Sequence, residues 1–130
     1  VLGRGRERGS SVVEFALVLP VVLLVLLAVV QVTVVARDRL LLAQAARAGA
    51  REAAITGADE DVGTAVRSAA PALDPARLAM VVTRTGERGT PVTVALSYSV
   101  PVASVLAGWL LPATVDLREQ ATARQEFGVT

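Results

Sequence analysis

From Phe15 to Ala36 the chain runs 22 residues without a charge, interrupted only by Pro20, Gln31 and Thr33. A helix of that length extends roughly 33 Å at about 1.5 Å per residue, enough to cross the hydrocarbon core of a bilayer. The competing reading is a buried core helix. The rest of the chain is too short to wrap a helix that is apolar on every side. After Arg37-Asp38-Arg39 the pattern changes but the helical signal continues. Leu40 to Ile55 has no Pro and is rich in Leu, Ala, Gln, Glu and Arg, all good helix formers. Ala43, Ala46, Ala50 and Ala53 recur there at spacings of three and four and make one small-residue face. The pattern predicts one helix from about Val12 to Thr56, half in lipid and half outside, with Gly57 ending it.

Asp59-Glu60-Asp61 predicts the capped and charged start of a second helix, whose stripe is Val62, Ala65, Val66 and Ala69. Three consecutive acids point in different directions on a helix, so a solvated helix start outweighs a metal site. Pro71 to Pro75 reads as a linker. The period then changes to two. Leu78–Arg84 is rich in β-formers, 85–91 holds two glycines, and Val92, Val94, Leu96, Tyr98 and Val100 alternate with small polar residues. These two runs predict a hairpin, and Thr114 to Ala123 a third antiparallel strand, with the tail fraying after Glu126. Pro101 to Pro112 is apolar but too short to span a membrane again. It reads as a partly helical connection covering the sheet or touching the outer leaflet, with Trp109 suited to core or interface. The fold class is therefore α+β: a long N-terminal helix, transmembrane then external, packed on a small three-stranded antiparallel sheet.

Composition narrows the chemistry. The 130 residues contain no His and no Cys, which removes the commonest general base, thiolate metal sites and any disulfide framework. All thirteen cations are Arg, against twelve acids, so no global basic field points to nucleic acid. The serines lack a His partner and no phosphate-binding glycine loop is visible, so neither an enzyme nor a cofactor is expected. The charges are unevenly placed. Arg4, Arg6 and Arg8 against Glu7 leave the first nine residues at net +2, whereas the chain from Arg37 onward is balanced. The positive-inside bias puts the N-terminus in the cytoplasm and the C-terminal head outside.

Glu14 lies at the edge of the apolar run, where a carboxylate costs a few kcal/mol if it enters the membrane and is a functional candidate by default. It follows Gly9-Ser10-Ser11-Val12-Val13 and precedes Phe15. Together, a basic leader ending in Gly9, Glu14 five residues on, Phe15 and then Ala-Leu-Val-Leu-Pro resemble the processing site and helix of TadE-like minor pilins (pseudopilins) of tight-adherence (Tad/Flp) type IV pili. The resemblance covers about residues 4–36. It implies a cut between Gly9 and Ser10 by a membrane-embedded prepilin peptidase. It also implies a role for Glu14 and Phe15 in registering the helix during assembly. The implied partners are other pilin and pseudopilin subunits, an inner-membrane assembly platform and the lipid bilayer. Pro20 removes a helix hydrogen bond and marks a possible kink, although Pro is common in membrane helices generally.

The resulting organisation is a leader at 1–9, a transmembrane and assembly helix at 10–36, its external continuation at 37–57 and an extracytoplasmic α+β head at 58–130. Major Flp pilins are much shorter, and TadG-like relatives carry a larger adhesive domain, so the head fits the minor class. Two other readings stay open. One is a single-pass anchor displaying a binding head and not incorporated in a pilus. The other is a secreted domain released by signal peptidase near Ala46, after the small-x-small pattern Ala43-Gln44-Ala45.

Overall fold

The computed structural model describes residues 2–103, 106–109 and 111–128. Its elements are α1 (Leu2–Ile55), α2 (Asp59–Ala69), a short 3-10 turn (Pro75–Arg77), β1 (Leu78–Arg84), β2 (Pro91–Pro101) and β3 (Thr114–Arg124). The chain divides into two compact units, Val1–Thr33 and Val34–Thr130. The first is helical throughout its described residues. The second contains the end of α1, α2 and the sheet, an α+β arrangement as the pattern predicted.

The sheet has the order β1-β2-β3, antiparallel throughout. Leu78 pairs with Tyr98 and Arg84 with Val92, while Pro91 pairs with Arg124 and Pro101 with Thr114. Alternation sorts the two faces. Val92, Val94, Leu96, Tyr98 and Val100 all point inward and are buried, and Leu117 joins them from β3. The opposite face carries short polar cross-strand pairs. Thr93 and Thr122 hydroxyls meet at 3.0 Å, and the Ser99 hydroxyl donates to Asp116 at 2.8 Å.

The inward face packs against the C-terminal part of α1 and against α2. The α1 side of this core is Leu42, Ala45, Ala46, Ala50, Ala53 and Ala54, with Gly49 buried among them. The expected small-residue face is therefore rotated: Ala43 lies at its half-buried rim, and Leu42 and Gly49 lie at its centre. Gly49 is where the elements come closest. A Cβ built there would stand 2.6 Å from Val66 Cγ2 and 3.2 Å from Val94 Cγ1. Only a residue without a side chain lets the helix, α2 and β2 meet at this point. Arg37, Gln44, Arg47 and Arg51 remain exposed on the other side of the helix, and Arg39 is exposed at the edge of the covered face, paired with Glu119 of β3.

Several local expectations are corrected. Helix α1 begins at Leu2, not near Val12, and takes in the glycines of the leader despite their low helix propensity. It ends at Ile55 with the Thr56 N–H donating to Glu52 O at 3.0 Å, and the Thr56 hydroxyl accepts the Ala58 N–H at 3.2 Å. Gly57 is not left-handed; among the described residues the glycines with positive φ are Gly86, Gly89 and Gly108. The acidic trio charges the first turn of α2 but does not cap it, since the N-cap is Ala58 and makes no side-chain cap bond. Asp59 instead pairs with Arg84, and Asp61 accepts from the Thr56 hydroxyl at 3.4 Å.

The segment 71–75 is more than a linker. Leu73 is buried, and the Asp74 N–H donates to the Tyr98 hydroxyl at 3.2 Å. The tail does not fray after Glu126. The Gln125 amide donates to Phe127 O at 2.9 Å, the Glu126 N–H reaches Ala54 O at 2.8 Å, and the Phe127 ring lies over Gly57. The β2–β3 connection holds no helix among its described residues. It is a hydrogen-bonded loop, turned at Gly108 with φ of 96°, and Trp109 is exposed, which excludes the core alternative. Val105 and Leu110, expected in the same connection, lie outside the described residues.

Candidate functional site

The residues singled out at the processing junction all lie on one regular helix. Gly9, Ser10, Glu14, Phe15 and Pro20 are exposed within α1, and Pro20 sits inside the helix without ending it. The side chains of Arg4, Arg6 and Glu7 lie outside the described set. Around Gly9 there is open space, with nothing within 4 Å of where a Cβ would be. A peptidase needs extended backbone, so this turn must unwind before a cut. A glycine inside a helix already weakens it by about 1 kcal/mol, and an uncrowded turn loses no packing when it opens.

A cut after Gly9 would change the electrostatics of the helix end. It would create a cationic amine on Ser10, whose reference pKa is near 8. It would also leave the first four N–H groups without intrahelical partners, at the positive end of the helix dipole. Ser10 and Glu14 are four residues apart, about 6 Å along the axis and on the same face. Helical side chains lean toward the N-terminus, so the Glu14 carboxylate is directed at the new amine. Within one chain it can offset that charge, and in a stack of helices it can do so for a neighbour. The sequence reading considered only the neighbour; the regular helix brings the same-chain partner into reach as well.

The rest of this helix is a surface that water does not tolerate. Fifteen large apolar side chains from Val12 to Val34 are exposed, Phe15 and Leu17 at 67% and 71%. At about 1.5–3 kcal/mol for each fully buried side chain, covering them is worth tens of kcal/mol. The most apolar window of the helix Arg8–Ile55 has a mean hydropathy of 3.0 and is 0% buried, and the helix is long and apolar enough to cross a membrane.

Residues 9–51 match the family described as TadE-like protein. The match opens on Gly9, contains Ser10, Glu14, Phe15 and Pro20, and ends inside α1 at Arg51, so the sheet lies outside it. The match covers about a third of the chain, and over that segment the chain is similar to TadE-like proteins. No curated protein and no solved structure matches the chain.

Proposed function

We propose that the chain is a minor pilin-like structural subunit, and not an enzyme, of a Tad/Flp-type pilus or related secretion apparatus. A prepilin peptidase cuts it between Gly9 and Ser10, and its helix then enters the assembly. The observation that supports this most is the coincidence of the TadE-like match, which begins at Gly9, with a helix whose large apolar side chains are exposed. Before processing, lipid covers that surface, with the basic N-terminus in the cytoplasm and the head outside. After processing, other pilin helices take the place of lipid. The pairing of Glu14 with Ser10 amines selects register more than it adds net stability. The assembly platform of the inner membrane and other pilin subunits are the partners this role requires.

The test is N-terminal sequencing of the mature protein together with Glu14→Gln and Glu14→Leu variants. The wild type should begin at Ser10. Both variants should insert and be cut normally, because the peptidase reads chiefly the junction at Gly9. Stranding a charge in an apolar fibre core costs about 3–5 kcal/mol, so co-purification with other subunits should drop by at least tenfold. Wild-type incorporation of both variants would reduce Glu14 to a headgroup-depth boundary residue.

A second reading has one observation in its favour: the match leaves the whole sheet unaccounted for. In that reading α1 is a plain anchor and the head a binding module. An uncut N-terminus in the mature protein would select it.

A further inference from the structure

We propose that the free edge of β1 is an interface between two copies of this chain. β1 of one head pairs antiparallel with β1 of another about a two-fold axis at Val81, joining two three-stranded sheets into one of six strands. The surface lies within the unit Val34–Thr130 and outside the TadE-like match, and the inference does not depend on the reading of α1 as a span.

Three observations carry it. The first is that the two edges of the sheet differ. β1 and β3 are both edge strands. β3 spreads Asp116, Arg118, Glu119 and Arg124 along its length, and charges on an edge oppose pairing with a further strand. β1 reads Leu-Ala-Met-Val-Val-Thr-Arg, with no charge before its last residue. That residue, Arg84, turns back to Asp59 and donates to Thr56 O at 3.3 Å. Val81, at the middle of the strand, is 62% exposed. Among the described residues, the backbone of 79–84 makes no hydrogen bond beyond its pairing with β2. Its outward N–H and C=O groups are a template for one more strand.

The second is that this edge fits itself. Opposite residues of an antiparallel pair lie on the same face of the sheet, so a two-fold axis must set one residue against its own copy. Centred on Val81, the axis uses the whole strand. Met80 meets the partner's Val82, Ala79 the partner's Thr83 and Leu78 the partner's Arg84. Leu78, Met80 and Val82 already pack against the core and are half-buried, so pairing continues the core across the junction. Ala79, Val81 and Thr83 are exposed on the other face and are small enough to sit opposite one another. No like charges fall opposite each other in this register.

The third is charge. α2 lies along β1 in the opposite direction: Asp59 meets Arg84, while Gly63, Val66 and Arg67 line a cleft with Leu78 and Met80. Glu60, Gly63 and Arg67 share one face of α2 by their spacing of three and four. It is the face beside β1, since a Cβ at Gly63 would stand 3.4 Å from Arg67 Nη1 and 3.7 Å from Met80 Cε. The two-fold axis reverses α2 in the partner. It turns the acidic first turn of each α2, Asp59-Glu60-Asp61, toward the end of the other that carries Arg67. Opposite charges and opposed helix dipoles then face each other at both ends of the interface. A second copy supplies the matching strand and the reversed charge pattern together, which selects it over an unrelated extended peptide.

The chain has no Cys, so an introduced one reports its own position. The full chain is studied in detergent micelles. Mild oxidation of Val81→Cys should give a disulfide-linked dimer, because paired Cα atoms lie about 4.5–5.5 Å apart. Ala79→Cys and Thr83→Cys should each link to themselves no more than by chance, since four strand residues, about 14 Å, separate each from its own copy. Mixed together, those two should form a linked dimer. Gln120→Cys, exposed on the same sheet face, sets the level of chance collision. In sedimentation equilibrium without oxidation, Val81→Lys should raise the dissociation constant by about tenfold or more and leave the circular dichroism unchanged. Glu60→Arg and Arg67→Glu should each weaken the dimer, and the two in one chain should restore it. A monomer at every concentration overturns the proposal. So does a dimer that Val81→Lys leaves intact, or linking of Val81→Cys only at the Gln120→Cys level. Self-linking of Ala79→Cys as strong as that of Val81→Cys also overturns it, because the strands then pair in another register. A double charge variant no better than the single ones overturns the opposed arrangement of α2 that selects a second copy.

Discussion

Two stretches of one helix meet opposite fates. Phe15–Ala36 carries large side chains on all sides and buries almost none of them; Leu42–Ala54 carries mostly small ones and buries an entire face. Both are apolar enough to pass for core in a coarse reading. The difference lies in what they meet. Large residues all round leave no face for a sheet to choose and call for a medium that surrounds the helix, which is lipid or a ring of other helices. Small residues on one side let backbones approach, and Gly49 marks the limit of that approach at Val66 and Val94. Size and its distribution around the axis, more than hydropathy, separate the part of α1 that could span a membrane from the part that packs in the head.

That contrast can be broken most completely in the first stretch. Val22→Asp with Val25→Asp puts two carboxylates near the middle of the span, a penalty of about 5–7 kcal/mol on insertion scales. The doubly substituted chain should be lost from carbonate-washed membranes. The head should still fold, since its core residues run from Val35 onward. Loss of the head's circular dichroism in detergent would show that the two stretches are not separable in this way.

Gly49→Val tests the second stretch. The added Cβ alone falls within 2.6 Å of Val66, so the head should lose about 3 kcal/mol in denaturant unfolding while membrane insertion is unchanged. Gly49→Ala should fall between this variant and wild type, near 1–2 kcal/mol, because overpacking is partly offset by alanine's better helix propensity. A stabilised Gly49→Ala head would mean that the helix and sheet can separate without penalty. The smallest effect is expected at the surface. Arg39 and Glu119 form an ion pair with the Arg39 side chain 69% exposed, so Arg39→Ala should change head stability by no more than about 1 kcal/mol, and less in high salt.

Much of the architecture was legible because it rests on periodicity. The five inward residues of β2 were readable from strict alternation, and the bounds of β1 from a β-rich run between a Pro-containing segment and a glycine-rich turn. The candidate site was legible for a different reason: Gly9, Glu14 and the start of the apolar run are tied to one another by short spacing along the chain. What local pattern could not show was where a segment's partners come from. Phe127 looks like part of a loose tail, yet its ring lies over Gly57, and Gln125 and Glu126 just before it are held by Thr90 and Ala54. Asp59 looks like a helix cap, yet it turns to Arg84. A glycine between alanines at 48–50 was the one available signal for the close approach at Gly49, and it says nothing of which elements approach.

The sequence by itself determined that α1 has an apolar stretch long enough for a membrane, that a carboxylate stands at its edge five residues after a glycine, and that three alternating segments follow. Each is a property of neighbours in the chain, where helix and strand periods turn spacing directly into geometry. Only the tertiary structure decided which face of α1 the sheet covers, that Gly49 and not Ala43 lies at its centre, and that the β2–β3 loop leaves Trp109 exposed. Those outcomes depend on contacts between residues far apart in the chain, and their register follows from packing volume and hydrogen bonding that no local period encodes.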